Sequence, residues 1–156
     1  MRSRLDWRNT NDVNYALPRV IIMASIPEEV MSLIKQKAAT DWPDDFEMQE
    51  HVIEQQTQSF FDLLNHPSPN IPQPILSIIK QKSADEWPED YEMQKHVLEQ
   101  QTSAYLQLEK YKRPEISEEI LAGIKQKARR EWPKDFEMQL HVIEEQCKAY
   151  LRIRGQ

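Results

Sequence analysis

The strongest constraint on this chain is one string that it contains three times. The first copy reads "DWPDDFEMQEHVIEQQ", and it returns as "EWPEDYEMQKHVLEQQ" and "EWPKDFEMQLHVIEEQ". Trp42, Trp87 and Trp132 mark equivalent positions, and 45 residues separate each from the next. A fixed period of this length indicates an array of structural repeats, in which each copy buries its apolar face against its neighbours.

Each repeat predicts a helical hairpin. The run "IPEEVMSLIKQKA" carries apolar residues at helical spacing and predicts a first helix of about 14 residues. This helix must stop at Trp42, because the residue before a proline is disfavoured in the helical region, and Pro43 suits the start of a new helix. The second helix is therefore predicted over Pro43–Leu64, and its equivalents end at Gln107 or Leu108 and near Ile153. Asp44, Asp45 and Glu47 are placed in its first turn, where negative charge is favourable.

These hairpins predict an all-α protein, a short α-solenoid or six-helix array. One hairpin of this size cannot bury enough surface alone, so the copies must stack. The predicted units are an N-terminal extension over 1–25 and repeats 1, 2 and 3 over 26–70, 71–115 and 116–156. The extension is predicted either to cap the first hairpin as an extended segment or to form a disordered tail.

Composition supports this fold and narrows the functional classes. The chain contains only two glycines, which favours helices over β-hairpins and over glycine-rich phosphate-binding loops. A single cysteine, Cys147, argues against a disulfide framework, and no secretory signal or membrane-spanning run is recognisable, so a cytoplasmic protein is predicted. The net charge of -6 disfavours nucleic acid as a general partner. Counted from Lys, Arg, Asp and Glu, repeat 1 carries -7 and repeat 3 carries +1.

The period lies within the range of HEAT repeats, although no HEAT, armadillo or tetratricopeptide signature is present. The corner string W-P-x-D-[FY]-E-M-Q resembles short stretches in uncharacterised bacterial proteins with helical-hairpin repeats. This resemblance covers about one corner in each repeat, and it implies no function.

Fifteen positions carry the same residue in all three repeats, and several of them are polar. On a helical wheel of the second helix, Glu47, His51 and Glu54 lie opposite the apolar arc. We call these residues and their equivalents the acidic-histidine face, and they are the predicted interaction face. Its members are Glu47, His51, Glu54, Glu92, His96, Glu99, Glu137, His141 and Glu144.

Three readings of this face are open. It can be a solvated charged surface, a protein-binding surface, or a metal site, since imidazole and carboxylate together suit zinc or iron. The metal interpretation is the weaker one. Helical di-iron sites draw Glu-x-x-His pairs from facing helices inside a bundle, whereas this face has the reverse order and is predicted to point outward. No metal and no cofactor is therefore predicted.

The first helices contribute a secondary candidate surface, the repeated Lys-Gln-Lys segment. Its outward residues could follow a phosphate backbone, but acidic faces interrupt them and no exposed aromatic platform accompanies them. The residues concerned are Lys35, Gln36, Lys80, Gln81, Lys125 and Gln126.

The remaining repeated residues are predicted to be structural. Two glutamines of each second helix fall inside the apolar arc, where a buried amide must find hydrogen-bond partners. They are expected either to link neighbouring helices or to bind free carbonyls at the end of the first helix. The corner tryptophans are expected to cover the end of the hairpin core, or to act as binding hot spots if exposed. The set is Gln49, Gln94, Gln139, Gln56, Gln101, Gln146, Trp42, Trp87 and Trp132.

The sequence thus predicts a non-enzymatic helical-repeat module for protein–protein interaction, an adaptor or regulator that binds a protein partner or its own copies. No catalytic constellation or phosphate-binding loop is recognisable. A metal- or ligand-binding helical protein is the alternative, and a nucleic-acid-associated protein acting through the Lys-Gln-Lys segments is a further one.

Overall fold

The structure is a computed structural model that describes residues 26–155. Within that range it contains six α-helices and no β-strand. The helices are α1 (Glu28–Asp41), α2 (Phe46–Leu64), α3 (Gln73–Glu86), α4 (Tyr91–Lys110), α5 (Glu118–Glu131) and α6 (Phe136–Ile153). The predicted all-α array of three tandem hairpins is confirmed. The extension over 1–25, predicted as a cap or a tail, lies outside the described residues.

The first helix of each repeat, α1, α3 or α5, has the predicted length of 14 residues. Pro27 and Pro72 precede α1 and α3, while Ser117 caps α5 by accepting a hydrogen bond from the Ile120 N–H. Each of these helices ends at the corner tryptophan. At Trp42 the backbone leaves the helical region, as expected before a proline.

The predicted start of the second helix was wrong by three residues. Pro43 and Asp44 form a turn, and α2 begins only at Phe46. Asp45 is the N-cap residue, because its Oδ1 accepts a 3.0 Å hydrogen bond from the Met48 N–H. Equivalent caps start α4 and α6. The sequence reasoning had placed this aspartate inside the first turn on charge alone, whereas its side chain replaces a missing backbone partner.

The second helices form the continuous layer of the array. Each first helix packs on the second helix of its own repeat, and α2 packs on α4, which packs on α6. Residues repeated on α2, α4 and α6 are therefore held side by side.

The first helices are separated by a groove. It lies between α3 and α5, has a volume of about 520 Å³, and has Ile75 and Ile78 on one side and Lys125 and Arg129 on the other.

The apolar core runs across the boundaries between repeats. One buried cluster includes Ile79 and Leu98 of repeat 2 together with Phe136 of repeat 3, and Leu63 of repeat 1 packs against it. A second cluster lies within repeat 3 and includes Cys147, which is fully buried. Each repeat therefore completes the core of its neighbour, as expected for a stacked array.

None of the helices within residues 26–155 has both the length and the apolar character needed to cross a membrane.

Candidate functional site

The acidic-histidine face lies on the outside of the second helices. His51, His96 and His141 are exposed on α2, α4 and α6 respectively. The flanking glutamates are exposed as well, except Glu144, which is half-buried. Because the three helices pack in sequence, the face repeats side by side across the array.

In repeats 2 and 3 this face closes into a groove. An open depression of about 460 Å³ lies between α4 and α6. His96 and Glu99 line it from α4, and Glu137, His141 and Glu144 line it from α6. Three carboxylates and two imidazoles thus border one groove, which the sequence could not establish because it does not fix which helices are neighbours. Such a groove is suited to basic or hydrogen-bonding side chains.

The same geometry bears on the metal hypothesis. Among residues 26–155, no three His, Cys, Asp or Glu side chains are arranged so that they could hold a metal ion. A zinc site needs three or four ligands at about 2.0–2.3 Å, set tetrahedrally around the ion.

We expect micromolar zinc to leave the melting temperature unchanged. A metal that binds the folded state selectively would raise the melting temperature, and the rise would grow with the logarithm of the metal concentration once that exceeds the Kd. The measurement is thermal unfolding with and without zinc, with the His51→Ala, His96→Ala and His141→Ala triple variant as control. That variant is expected to remain folded. A zinc-dependent rise that the triple variant abolishes would contradict this expectation.

The first set of repeated glutamines binds the corner carbonyls. Gln94 is 8% and Gln139 is 4% exposed, whereas Gln49 is only half-buried. Each Nε2 donates to the main-chain oxygen of the tryptophan seven residues earlier, at 2.6–2.7 Å. These amides therefore bind the carbonyl at the end of the first helix, which also accepts a 3.3 Å hydrogen bond from the main-chain N–H of the capping aspartate.

The second set of glutamines links one repeat to the next. Gln56 is 6% exposed, and its Nε2 donates to Asp90 Oδ1 at 3.0 Å while its Oε1 accepts from the Tyr91 N–H at 2.8 Å. Gln101 is 2% exposed and makes the same two bonds to Asp135 and Phe136, at 3.0 and 2.7 Å. We call this contact the repeat junction. Gln146, the third equivalent, is exposed.

Charge reinforces the second repeat junction. Lys82 of α3 lies 3.3 Å from Asp135 and also pairs with Glu86 on its own helix. Burial alone would raise the pKa of Asp135, but hydrogen bonds from Gln101 and the Met138 N–H, together with the Lys82 ammonium, outweigh it and hold that pKa below its ordinary value. The carboxylate is thus kept ionised at the junction.

The corner tryptophans are more exposed than a purely structural role predicts. Trp42, Trp87 and Trp132 are 41, 40 and 39% exposed, so each ring covers its hairpin only in part. The main-chain groups of these tryptophans form the hydrogen bonds that fix the corner. The Trp42 N–H, for example, donates to the Ala38 carbonyl at 3.0 Å, and its own carbonyl accepts from Gln49.

The Lys-Gln-Lys segments do not present one uniform surface. Lys35, Gln36, Gln81 and Gln126 are exposed, and Lys80 is half-buried. Lys125, also half-buried, donates a 2.8 Å hydrogen bond to the Tyr111 carbonyl just beyond α4. The Lys125 ammonium therefore binds a main-chain carbonyl at the C-terminal end of α4.

Sequence reasoning missed the capping aspartates as junction residues. One signal was available. Position 45 is aspartate in every repeat, whereas the preceding position is Asp44, Glu89 or Lys134. A preference for negative charge near the helix start would apply to both positions, whereas an N-cap requires a side-chain acceptor at position 45 alone.

Comparison of the chain with protein-family models, curated proteins and solved structures finds no match.

Proposed function

We propose that this protein is a non-enzymatic helical-repeat interaction module whose acidic-histidine face binds a partner protein through basic side chains. The observation that carries the proposal is the groove between α4 and α6, where Glu99, Glu137 and Glu144 lie together with His96 and His141. These residues belong to a pattern present in all three repeats and are largely accessible.

Several physical features support this choice. Carboxylates on an accessible groove attract cationic groups and bind guanidinium or ammonium groups through charge-assisted hydrogen bonds. The groove lies on the layer of helices that pack directly on one another, so its walls are fixed relative to each other. The imidazole rings carry nitrogens that can donate or accept hydrogen bonds, which suits a segment with both polar and basic side chains.

Removing the groove carboxylates is expected to weaken partner binding about tenfold, since three ion pairs at the protein surface of roughly 0.5 kcal/mol each sum to that factor. The variant is Glu99→Gln, Glu137→Gln and Glu144→Gln in the full chain. The measurement is quantitative recovery of partner proteins by the tagged chain from cells of its source organism, repeated at higher salt, which should weaken capture further.

The matched control is Glu28→Gln with Glu29→Gln, which neutralises exposed carboxylates at the start of α1, away from the groove. The control is expected to recover the same partners as the wild-type chain. If the groove variant also recovers them undiminished, the binding surface lies elsewhere, with Lys35 and Gln36 on α1 or the basic third repeat as the next candidates.

A further inference from the structure

The two ends of the array carry complementary halves of the repeat junction. Inside the chain this junction occurs twice, between repeats 1 and 2 and between repeats 2 and 3. Within residues 26–155, no helix packs beyond α6 as α6 packs on α4, and none packs before α2 as α2 packs on α4. The half that reaches forward is therefore present on α6, and the half that receives it is present at the start of α2.

The hydrogen-bonding groups of a third junction are in place. Asp45 caps α2 through the Met48 N–H, as Asp135 caps α6 through the Met138 N–H. Within residues 26–155, however, no glutamine amide reaches Asp45 as Gln101 reaches Asp135. Gln146 occupies the equivalent position on α6 and is exposed.

The aromatic groups show the same complementarity. Phe60 packs edge-to-face on Tyr91 at the first junction, and Tyr105 packs so on Phe136 at the second, both with ring centroids 5.2 Å apart. The corresponding pair for a third junction is Tyr150 with Phe46. Phe46 is 75% exposed, whereas Phe136 is 6% exposed.

The last apolar residue of α6 is also uncovered. Leu63 and Leu108, at equivalent positions in α2 and α4, are half-buried and pack against the apolar clusters of the following repeat. Ile153 is 85% exposed. An isoleucine and a phenylalanine at opposite ends of the array therefore leave apolar surface in water that their equivalents bury.

Charge at the two ends matches as well. At the first junction Asp62 pairs with Lys95 at 2.9 Å. The equivalent positions for a third junction hold Arg152 at the end of α6 and Glu50 on α2, which are again opposite in sign. Repeat 1 carries -7 and repeat 3 carries +1, so the net charges of the two end repeats are also opposite in sign.

We propose that the chain associates head to tail with further copies of itself, the α6 end of one copy docking on the α2 start of the next through a third repeat junction. Such a contact joins two different surfaces, so it is heterologous, and each added copy exposes a new docking end. Such a contact would place the α6 part of the acidic-histidine face beside the α2 part of the next copy, whereas the groove between α4 and α6 lies within one chain and does not depend on it. The proposal can therefore fail while the proposed partner binding holds, and the reverse.

The test is sedimentation velocity of the full chain from micromolar to near-millimolar concentration. Wild-type protein is expected to rise in average mass with concentration. Phe46→Asp and Ile153→Asp, each of which blocks one end, are expected to remain at the 18.6 kDa of the single chain under the same conditions. The control is Leu64→Asp, because Leu64 is 61% exposed but its equivalents are Glu109 and Arg154, so this position needs no apolar residue at a junction. It is expected to associate like the wild type.

Mixing the two blocked variants separates head-to-tail contact from any symmetric contact. Phe46→Asp keeps an intact α6 end and Ile153→Asp keeps an intact α2 start, so an equimolar mixture is expected to form a complex of one copy of each and to stop there. A mixture that stays monomeric overturns the proposal. So does a wild-type chain that remains monomeric throughout this concentration range.

Discussion

Replacing Gln101 with Ala is expected to lower the free energy of unfolding by about 2–4 kcal/mol. The amide of Gln101 is 2% exposed and is bonded to Asp135 and to the Phe136 N–H. Its loss strands a buried backbone donor, which costs about 1–3 kcal/mol, and removes buried side-chain methylene worth about 0.8 kcal/mol. The measurement is urea unfolding followed by circular dichroism at a concentration where the chain is monomeric.

Gln146→Ala is the matched control, since Gln146 holds the same position in repeat 3 and is exposed. It is expected to change stability by less than about 0.5 kcal/mol, as surface substitutions usually do. Gln101→Leu restores most of the volume but not the hydrogen bonds, so it should recover only the smaller, packing part of the loss. Equal effects of Ala at positions 101 and 146 would show that the buried amide does not hold the repeats together.

The hairpin architecture could be predicted because its determinants are local and occur three times. Trp42-Pro43 breaks the helix by the sterics of one dipeptide, and the apolar spacing on either side fixes the helical period. Stacking followed from the inability of one hairpin to bury enough surface. The start of α2 was misplaced because Asp45 suits both an N-cap and a first turn, and only the backbone geometry distinguishes them.

The ends of the array and the partners of its polar residues could not be predicted. Periodicity treats the three repeats as equal, so Phe46 and Phe136 looked alike on the helical wheel, yet one is 75% and the other 6% exposed. Among residues 26–155, the start of α6 packs on α4 of the preceding repeat, whereas the start of α2 has no such neighbour. Lys82 pairs with Glu86 on its own helix, but it also reaches Asp135 of the next repeat, which the spacing within one repeat does not indicate. Long side chains select partners by the placement of neighbouring helices, and a single hairpin does not contain that information.

Asp135→Ala is expected to cost about 2–3 kcal/mol, and Asp45→Ala only about 1 kcal/mol. Both variants lose an N-cap, which is worth about 1 kcal/mol. Asp135→Ala also removes the acceptor of the buried Gln101 amide and the partner of Lys82, which adds about 1–2 kcal/mol. The difference between the two variants, again from urea unfolding of the monomer, isolates the contribution of the repeat junction. Equal losses would mean that the aspartate acts only as a cap.

Acid should remove the charged part of this contribution, and Asp135→Asn tests it because asparagine also caps helices well but cannot ionise. The folded pKa of Asp135 lies below its ordinary value of about 3.9, so the unfolded chain binds the proton more tightly than the folded one. The stabilisation is thus fully present above the unfolded pKa, and it is lost as the pH falls from there through the lower folded pKa. The stability difference between wild type and Asp135→Asn is therefore expected to be constant from neutral pH down to about pH 5 and to shrink steadily below pH 4. A difference that persists unchanged at the lowest pH where the protein still folds would show that the ionised carboxylate, and with it the pairing to Lys82, contributes nothing to the junction.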